Sequence, residues 1–145
     1  MIRVMFVCHG NICRSPMAEY IFKYLCKNKY KIESRATSRE EIGNDMHYGT
    51  KEQLTIHNIP FERHYAKQIT LDDYNNFDLI VCFDSYNYNN LIRMFNNTNK
   101  IMKLLDKDID DPWYTHNFIK TYDEIYSGCI KLLERIDNSG ENSNI

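Results

Sequence analysis

Four segments of the chain carry strand character: residues 2–8, Lys31–Thr37, Asp78–Phe83 and Lys100–Leu104. Between them the residue pattern predicts helices over 16–28, 46–58 and 85–95. A longer helix closes the pattern from Phe118 to Ile136, with Ile125, Cys129, Leu132, Leu133 and Ile136 at helical spacing. Thr70-Leu71-Asp72-Asp73 reads as a short capped helix start, with Thr70 as cap and Asp73 in the position of a capping-box acid. Strands alternating with helices predict one three-layer α/β domain: a four-stranded parallel sheet, joined by right-handed crossovers and flanked by helices. That domain is expected over residues 1–137, with the polar residues 138–145 as a flexible tail.

In an open sheet of this kind, ligands collect outside the carboxyl ends of the strands. Cys8 ends the first predicted strand, Asp84 follows the third, and Asp106 to Asp111 follow the fourth. The reactive candidates therefore converge on one edge.

Composition narrows the picture by exclusion. A length of 145 residues with 43% hydrophobic and 26% charged residues suits one soluble domain with one core. A net charge of -2, with no basic stripe, gives no reason to expect nucleic acid or a membrane as partner. No apolar run is long enough to span a bilayer, and no signal-peptide core precedes the first strand. The cysteines are Cys8, Cys13, Cys26, Cys82 and Cys129, an odd number without a Cys-x-x-Cys pair. Neither a disulfide framework nor a zinc cluster is suggested, no cofactor or metal is expected, and a reducing cytoplasm is the expected location. Cys26, Cys82 and Cys129 fall inside predicted strands or helices and read as core.

Cys8 is different. It opens the segment Cys8-His9-Gly10-Asn11-Ile12-Cys13-Arg14-Ser15-Pro16, at the corner between the first strand and the first helix. Gly10 permits a tight path and Asn11 tolerates left-handed backbone angles. A loop of that shape turns successive N–H groups inward into an anion nest, reinforced by the positive end of the helix. Arg14 adds a planar fork matching two phosphate oxygens. Ser15 is placed to cap the helix or to hydrogen-bond the Cys8 sulfur, and Pro16 suits the first turn. These groups favour a thiolate at Cys8, and a thiolate ringed by donors is a metal-free site for phosphoryl transfer. The competing reading, a buried cysteine beside a surface arginine, leaves the Gly-Asn pair and the helix start unexplained.

The segment Val7 to Pro16, with Met17-Ala18-Glu19 after it, resembles the signature of the low-molecular-weight protein tyrosine phosphatases. Further resemblances are Ser34-Arg35-Ala36-Thr37-Ser38, His64-Tyr65-Ala66-Lys67-Gln68, Phe77 to Asp84 with Asn87, and Asp111-Pro112-Trp113-Tyr114. The resemblance implies Cys8 as nucleophile, Arg14 as the group that holds phosphate and the transition state, and a phosphate cradle of His9, Gly10, Asn11, Ile12, Cys13 and Arg14. It implies that Ser15, Ser34 and His64 support Asn11, and that Cys13 forms a reversible disulfide with an oxidised Cys8. Its substrates would be phosphotyrosine proteins or small aryl phosphates, and inorganic phosphate its product.

Releasing a phenoxide needs an acid, and four acids lie between Asp106 and Asp111. The resemblance selects Asp111, whose backbone Pro112 restricts, with Asp110 as the fallback. Trp113 and Tyr114 are expected to wall a slot for an aromatic ester; core packing is the alternative for Trp113. Four positions depart from the family pattern. Arg35 stands where Gly or Ala is usual and is expected to charge the rim of the site. Glu40 replaces an aromatic wall residue, and Met46-His47 replaces a Pro-acid pair.

Three competing functions bear on the same loop. A thioredoxin-coupled arsenate reductase needs further cysteines after the third strand, and Ser85 to Met94 contains none. A protein arginine phosphatase usually carries Thr where Ile12 stands. A non-catalytic phosphotyrosine-binding module would be expected to have lost Cys8 or Asp111, and both are present.

Overall fold

The computed structural model describes residues 1–143, with side-chain environments as far as Ser139. Its strands are β1 (Arg3–Cys8), β2 (Lys31–Ala36), β3 (Leu79–Cys82) and β4 (Ile101–Lys103). Its helices are α1 (Arg14–Cys26), α2 (Tyr48–Ile56), α3 (Leu71–Asn76), α4 (Ser85–Phe95), α5 (Pro112–Thr115) and α6 (Phe118–Ser143).

β1 is buried from Val4 to Cys8 because both of its faces are covered. Alternate side chains point to opposite faces. Val4, Phe6 and Cys8 enter a core shared with Met17, Ile21 and Phe22 of α1 and Ile125, Cys129 and Leu132 of α6. Met5 and Val7 enter a second core with Tyr74 of α3, Phe77, and Leu91 of α4. The result is helix layers on either side of one sheet.

The sheet is parallel throughout, in the order β2-β1-β3-β4. The chain leaves β1 toward β2 and then crosses back to β3 on its other side. That reversal opens a crevice beyond the carboxyl ends of β1 and β3, where α/β proteins bind ligands. Cys8 pairs with Ala36 at the end of β1, and Asp84 begins the segment after β3.

Several boundaries differ from the sequence expectation, each for a local reason. α1 starts at Arg14, because the loop winds directly into the helix; Cys13 stands at the N-cap and makes no side-chain cap bond. Ser15 therefore lies inside the first turn and is not the cap. α2 starts at Tyr48, with the His47 ring accepting from the Gly49 N–H as cap, while Met46 is drawn into the core. The capping box at Thr70 and Asp73 is present in both directions. α6 runs on to Ser143, past the last apolar position of its stripe, so the expected tail is helical as far as that residue. Residues 144 and 145 lie outside the described residues. No helix among the described residues is long and apolar enough to cross a membrane.

Candidate active site

The loop between β1 and α1 is held by its carbonyls. Cys8 O accepts from Thr37 N at 2.9 Å, and His9 O accepts from Ser38 N at 3.0 Å and Ser38 Oγ at 2.8 Å. Asn11 O accepts from His64 Nε2 at 2.7 Å, and Ile12 O from His47 N at 2.8 Å. Cys13 O accepts from Thr50 Oγ1 at 3.0 Å and Met17 N at 3.3 Å. In a trans peptide the following N–H points opposite to its carbonyl. With those carbonyls bound outward, the amides of His9, Gly10, Ile12, Cys13 and Arg14 face the interior of the loop. The remaining amide, Asn11 N–H, donates to Cys8 Sγ at 3.3 Å. The loop is an anion nest built around a thiol.

Asn11 makes this path possible at φ 60, in the left-handed region, with 0% exposure. Its Nδ2 donates to Ser15 Oγ at 2.7 Å and Ser34 Oγ at 3.0 Å, and its Oδ1 accepts from Lys67 N at 3.1 Å. Both amide hydrogens are thus spent. Ser34, accepting from Asn11, donates to Glu19 Oε1 at 2.6 Å. Ser15, accepting likewise, has one hydrogen of its own and two acceptors in reach, Cys8 Sγ at 3.0 Å and the Arg35 carbonyl at 3.4 Å. The count of donors fixes the direction of the Ser34 hydroxyl, and the shorter contact favours sulfur for that of Ser15.

His64 is buried, and burial lowers its pKa below the ordinary value despite the Asn11 carbonyl and the nearby Glu19 and Asp45. It therefore stands as neutral imidazole with its hydrogen on Nε2.

Arg14 is 2% exposed. Its Nη1 donates to Asp84 Oδ2 at 2.7 Å and to Ile109 O at 2.8 Å. Burial alone would push its pKa down, but Cys8, Asp111 and Asp84 hold it above the ordinary value. Nε has no protein partner, and Nη2 lies 3.4 Å from Asp111 Oδ2. One edge of the guanidinium is anchored, and the other is presented for bidentate contact with an oxyanion.

Asp111 caps α5 through Oδ1, which accepts from Trp113 N at 3.0 Å. The other acids of its segment turn elsewhere. Asp110 pairs with Lys120 at 3.3 Å, and Asp108 binds Lys103 and the start of α4. Only Asp111 of this segment lines the slot above Cys8, together with Ile12, Trp113 and Tyr114. Trp113 is 48% exposed and Tyr114 76%, so neither is a core residue. Cys13 borders the same slot, and burial, followed by the charges of Cys8 and Asp111, pushes its thiol well above the ordinary range.

The departures from the family pattern acquire separate explanations. Arg35 is turned away from the site, pairing with Asp73 at 3.1 Å and Glu33 at 3.5 Å. It follows Ser34 on β2, and alternation along the strand sends the two to opposite faces. The expected charge on the rim is absent for that reason. Glu40 does reach the rim, where it bonds His9 Nε2 at 3.1 Å. The His47 ring stacks on Phe118 at 4.9 Å and meets Trp113 edge-on at 5.7 Å, tying the loop to the wall.

Glu19, Thr50 and the Ile109 carbonyl were not marked as site residues by the sequence, and Asp84, placed at the reactive edge, was given no role there. Glu19 had a detectable signal: Ser15, Glu19 and Lys23 recur every fourth residue on one face of α1, and Glu19 bonds Lys23 at 2.6 Å. The Ile109 contact runs through backbone and left no trace in residue type.

A strand-end thiol in a ring of inward amides, beside an anchored arginine and a carboxylate, defines a class: proteins that present a cysteine nucleophile to a tetrahedral oxyanion. The chain belongs to the low-molecular-weight protein tyrosine phosphatase family. The model for low molecular weight phosphotyrosine protein phosphatases matches residues 3–142. The chain is 41% identical to the low molecular weight protein-tyrosine-phosphatase YfkJ of Bacillus subtilis, covering 94% of this chain and 96% of that protein. It is 39% identical to PtpA of Staphylococcus aureus, another low molecular weight protein-tyrosine-phosphatase, over 94% of each. The crystal structure of SP-PTP from Streptococcus pyogenes superposes with a TM-score of 0.90 at 43% identity, covering 93% of each chain.

Proposed function

We propose that this enzyme hydrolyses phosphotyrosine in proteins, and small aryl phosphates, through a cysteinyl-phosphate intermediate without a metal. The observation that carries the reading is the outward anchoring of the loop carbonyls, which aims five amides at the space over Cys8 Sγ. Those donors and the free edge of Arg14 match the equatorial oxygens of a phosphoryl group, where charge gathers in the transition state. The Cys8 thiolate attacks phosphorus while the bond to the tyrosine oxygen breaks. Asp111, bordering the same slot, gives its carboxyl proton to that oxygen. In the second step the Asp111 carboxylate takes a proton from water, water oxygen bonds phosphorus, and the sulfur departs. Inorganic phosphate is the product.

Ser15 serves the departure of sulfur, because its hydroxyl lies 3.0 Å from Cys8 Sγ, nearer than its other acceptor, the Arg35 carbonyl at 3.4 Å. Asn11, held by Ser34 and His64, keeps the loop in its left-handed turn. Ile12, Trp113 and Tyr114 give the slot apolar walls suited to a phenyl ring. Cys13, bordering the slot in the thiol form, is placed to protect an oxidised Cys8 as a disulfide. A reducing cytoplasm suits a nucleophile of this kind.

The test is turnover of para-nitrophenyl phosphate with EDTA present, by the wild type and by Cys8→Ser. Metal-independent turnover in the wild type, lost in the variant while inorganic phosphate still binds, is the expected result. Wild-type-like activity in Cys8→Ser would remove Cys8 as the nucleophile.

A further inference from the structure

Across His9 from the catalytic slot lies a second recess. His9 lines both, and the recess is completed by Thr37, Ser38, Tyr86, Asn90 and Arg93 among others. Its volume is about 390 Å³, an order of magnitude above the roughly 30 Å³ share of one water, so it holds a side chain with its hydration. It opens to solvent and adjoins the catalytic slot through His9.

The charged side chains that line the two openings differ. The slot is bordered by Glu40, Glu41 and Asp111. No carboxylate among the described residues lines the second recess; its polar groups are hydroxyls, amides, the His9 ring and the Arg93 guanidinium. Arg93 stands in the last turn of α4, exposed, and makes no ion pair within 4.0 Å among the described residues. Thr37, 8% exposed, forms part of the wall, and its Oγ1 has no hydrogen-bond partner. Ser38 Oγ is committed to the His9 carbonyl, so the same residues that shape the recess also anchor the phosphate loop.

We propose that this recess is a subsite for an acidic side chain flanking the phosphotyrosine of a peptide substrate, with Arg93 as its charged contact. The inference rests on the phosphatase reading above and adds the chemistry of the neighbouring residue. A glutamate carboxylate matches the recess in charge and pairs with a guanidinium as a fork. Because His9 is the partition between the two cavities, a substrate occupying both would straddle it, with the phosphotyrosine on one side and the acid on the other.

The experiment uses phosphotyrosine peptides in which a single Glu is moved through the flanking positions of an otherwise Ala background. In the wild type, Glu at one position raises kcat/KM over the all-Ala peptide by about tenfold, the scale of one charge-assisted hydrogen bond. In Arg93→Ala that ratio falls to about one, and in Arg93→Glu the preference moves to Lys at the same position. A preference spread evenly over all positions would be the diffuse field of the surface and would overturn the subsite. So would an unchanged ratio in Arg93→Ala. Absence of turnover on para-nitrophenyl phosphate in the wild type would instead overturn the phosphatase reading, so the two failures are distinguishable.

Discussion

At the scale of residues, the site works by using up hydrogen-bonding capacity until one arrangement remains. Asn11 spends both amide hydrogens on Ser15 and Ser34, Ser34 spends its own on Glu19, and the Ser15 hydroxyl has sulfur as its nearer acceptor. Asp111 sits at the other end of the same logic. Its Oδ1 is occupied by Trp113 N–H, while Oδ2, near Arg14 Nη2, is the oxygen that the proposed proton transfer would use. Asp111→Asn keeps the cap acceptor but carries no acidic proton. It should slow phenyl phosphate by about 10²–10⁴-fold, the usual range for a lost general acid, and para-nitrophenyl phosphate much less. Steady-state kinetics on the two esters measures this. Equal losses on both would mean that Asp111 acts only as the cap of α5.

At the scale of elements, the acid-bearing segment depends on how α6 packs beneath it. Gly128 of α6 faces Leu104, which ends the hydrogen-bonded run after β4 and leads into the Asp106–Asp111 segment. A Cβ added at Gly128 would lie 2.6 Å from Leu104 Cγ, closer than side chains tolerate. Helix propensity favours alanine here by under about 1 kcal/mol, but the overlap opposes it at about 1–3 kcal/mol. Gly128→Ala should therefore destabilise the fold by up to about 2 kcal/mol net. Urea unfolding followed by tyrosine and tryptophan fluorescence tests this, and a stabilised variant would show that Leu104 repacks without cost.

The order and type of these elements were largely legible in the sequence, because apolar runs and capping residues are local signals. The strand segments and the Thr70–Asp73 box needed only neighbours along the chain. The start of α1 was less legible: its first turn is shaped by a loop whose carbonyls are held by Thr37, His47, Thr50 and His64, all distant in sequence. The orientation of Arg35 was misjudged by position alone, since one step along β2 exchanges the site face for the face toward Asp73. The anchoring of Arg14 by Ile109 O was illegible in principle, because a carbonyl belongs to every residue.

At the scale of the whole molecule, stability and the shape of the loop are linked through protonation. His64 is neutral when folded, and its pKa lies below that of the unfolded chain because it is buried. The unfolded state therefore binds more protons as the pH falls below about 6.5, so the contribution is present above that value and is lost through the folded pKa. His47 is depressed in the same direction, by burial and then by His116. The thermal midpoint should fall on acidification from pH 7 toward 5, and less steeply in His64→Gln. Calorimetry across that range checks it; parallel curves for the two proteins would exclude His64 as a contributor.

The anchoring of Arg14 by Asp84 and the Ile109 carbonyl has a further consequence in time. A ribosome releases the thiol-bearing loop early and needs roughly 5–20 seconds more to add the next hundred residues, at about 5–20 residues per second. Until then the nascent chain owns a cysteine and an arginine but neither the brace that aims the guanidinium nor Asp111. The braced loop therefore becomes available only after Asp84 and Ile109 have been added, and a chain interrupted before that point is left with a thiol beside an unanchored arginine.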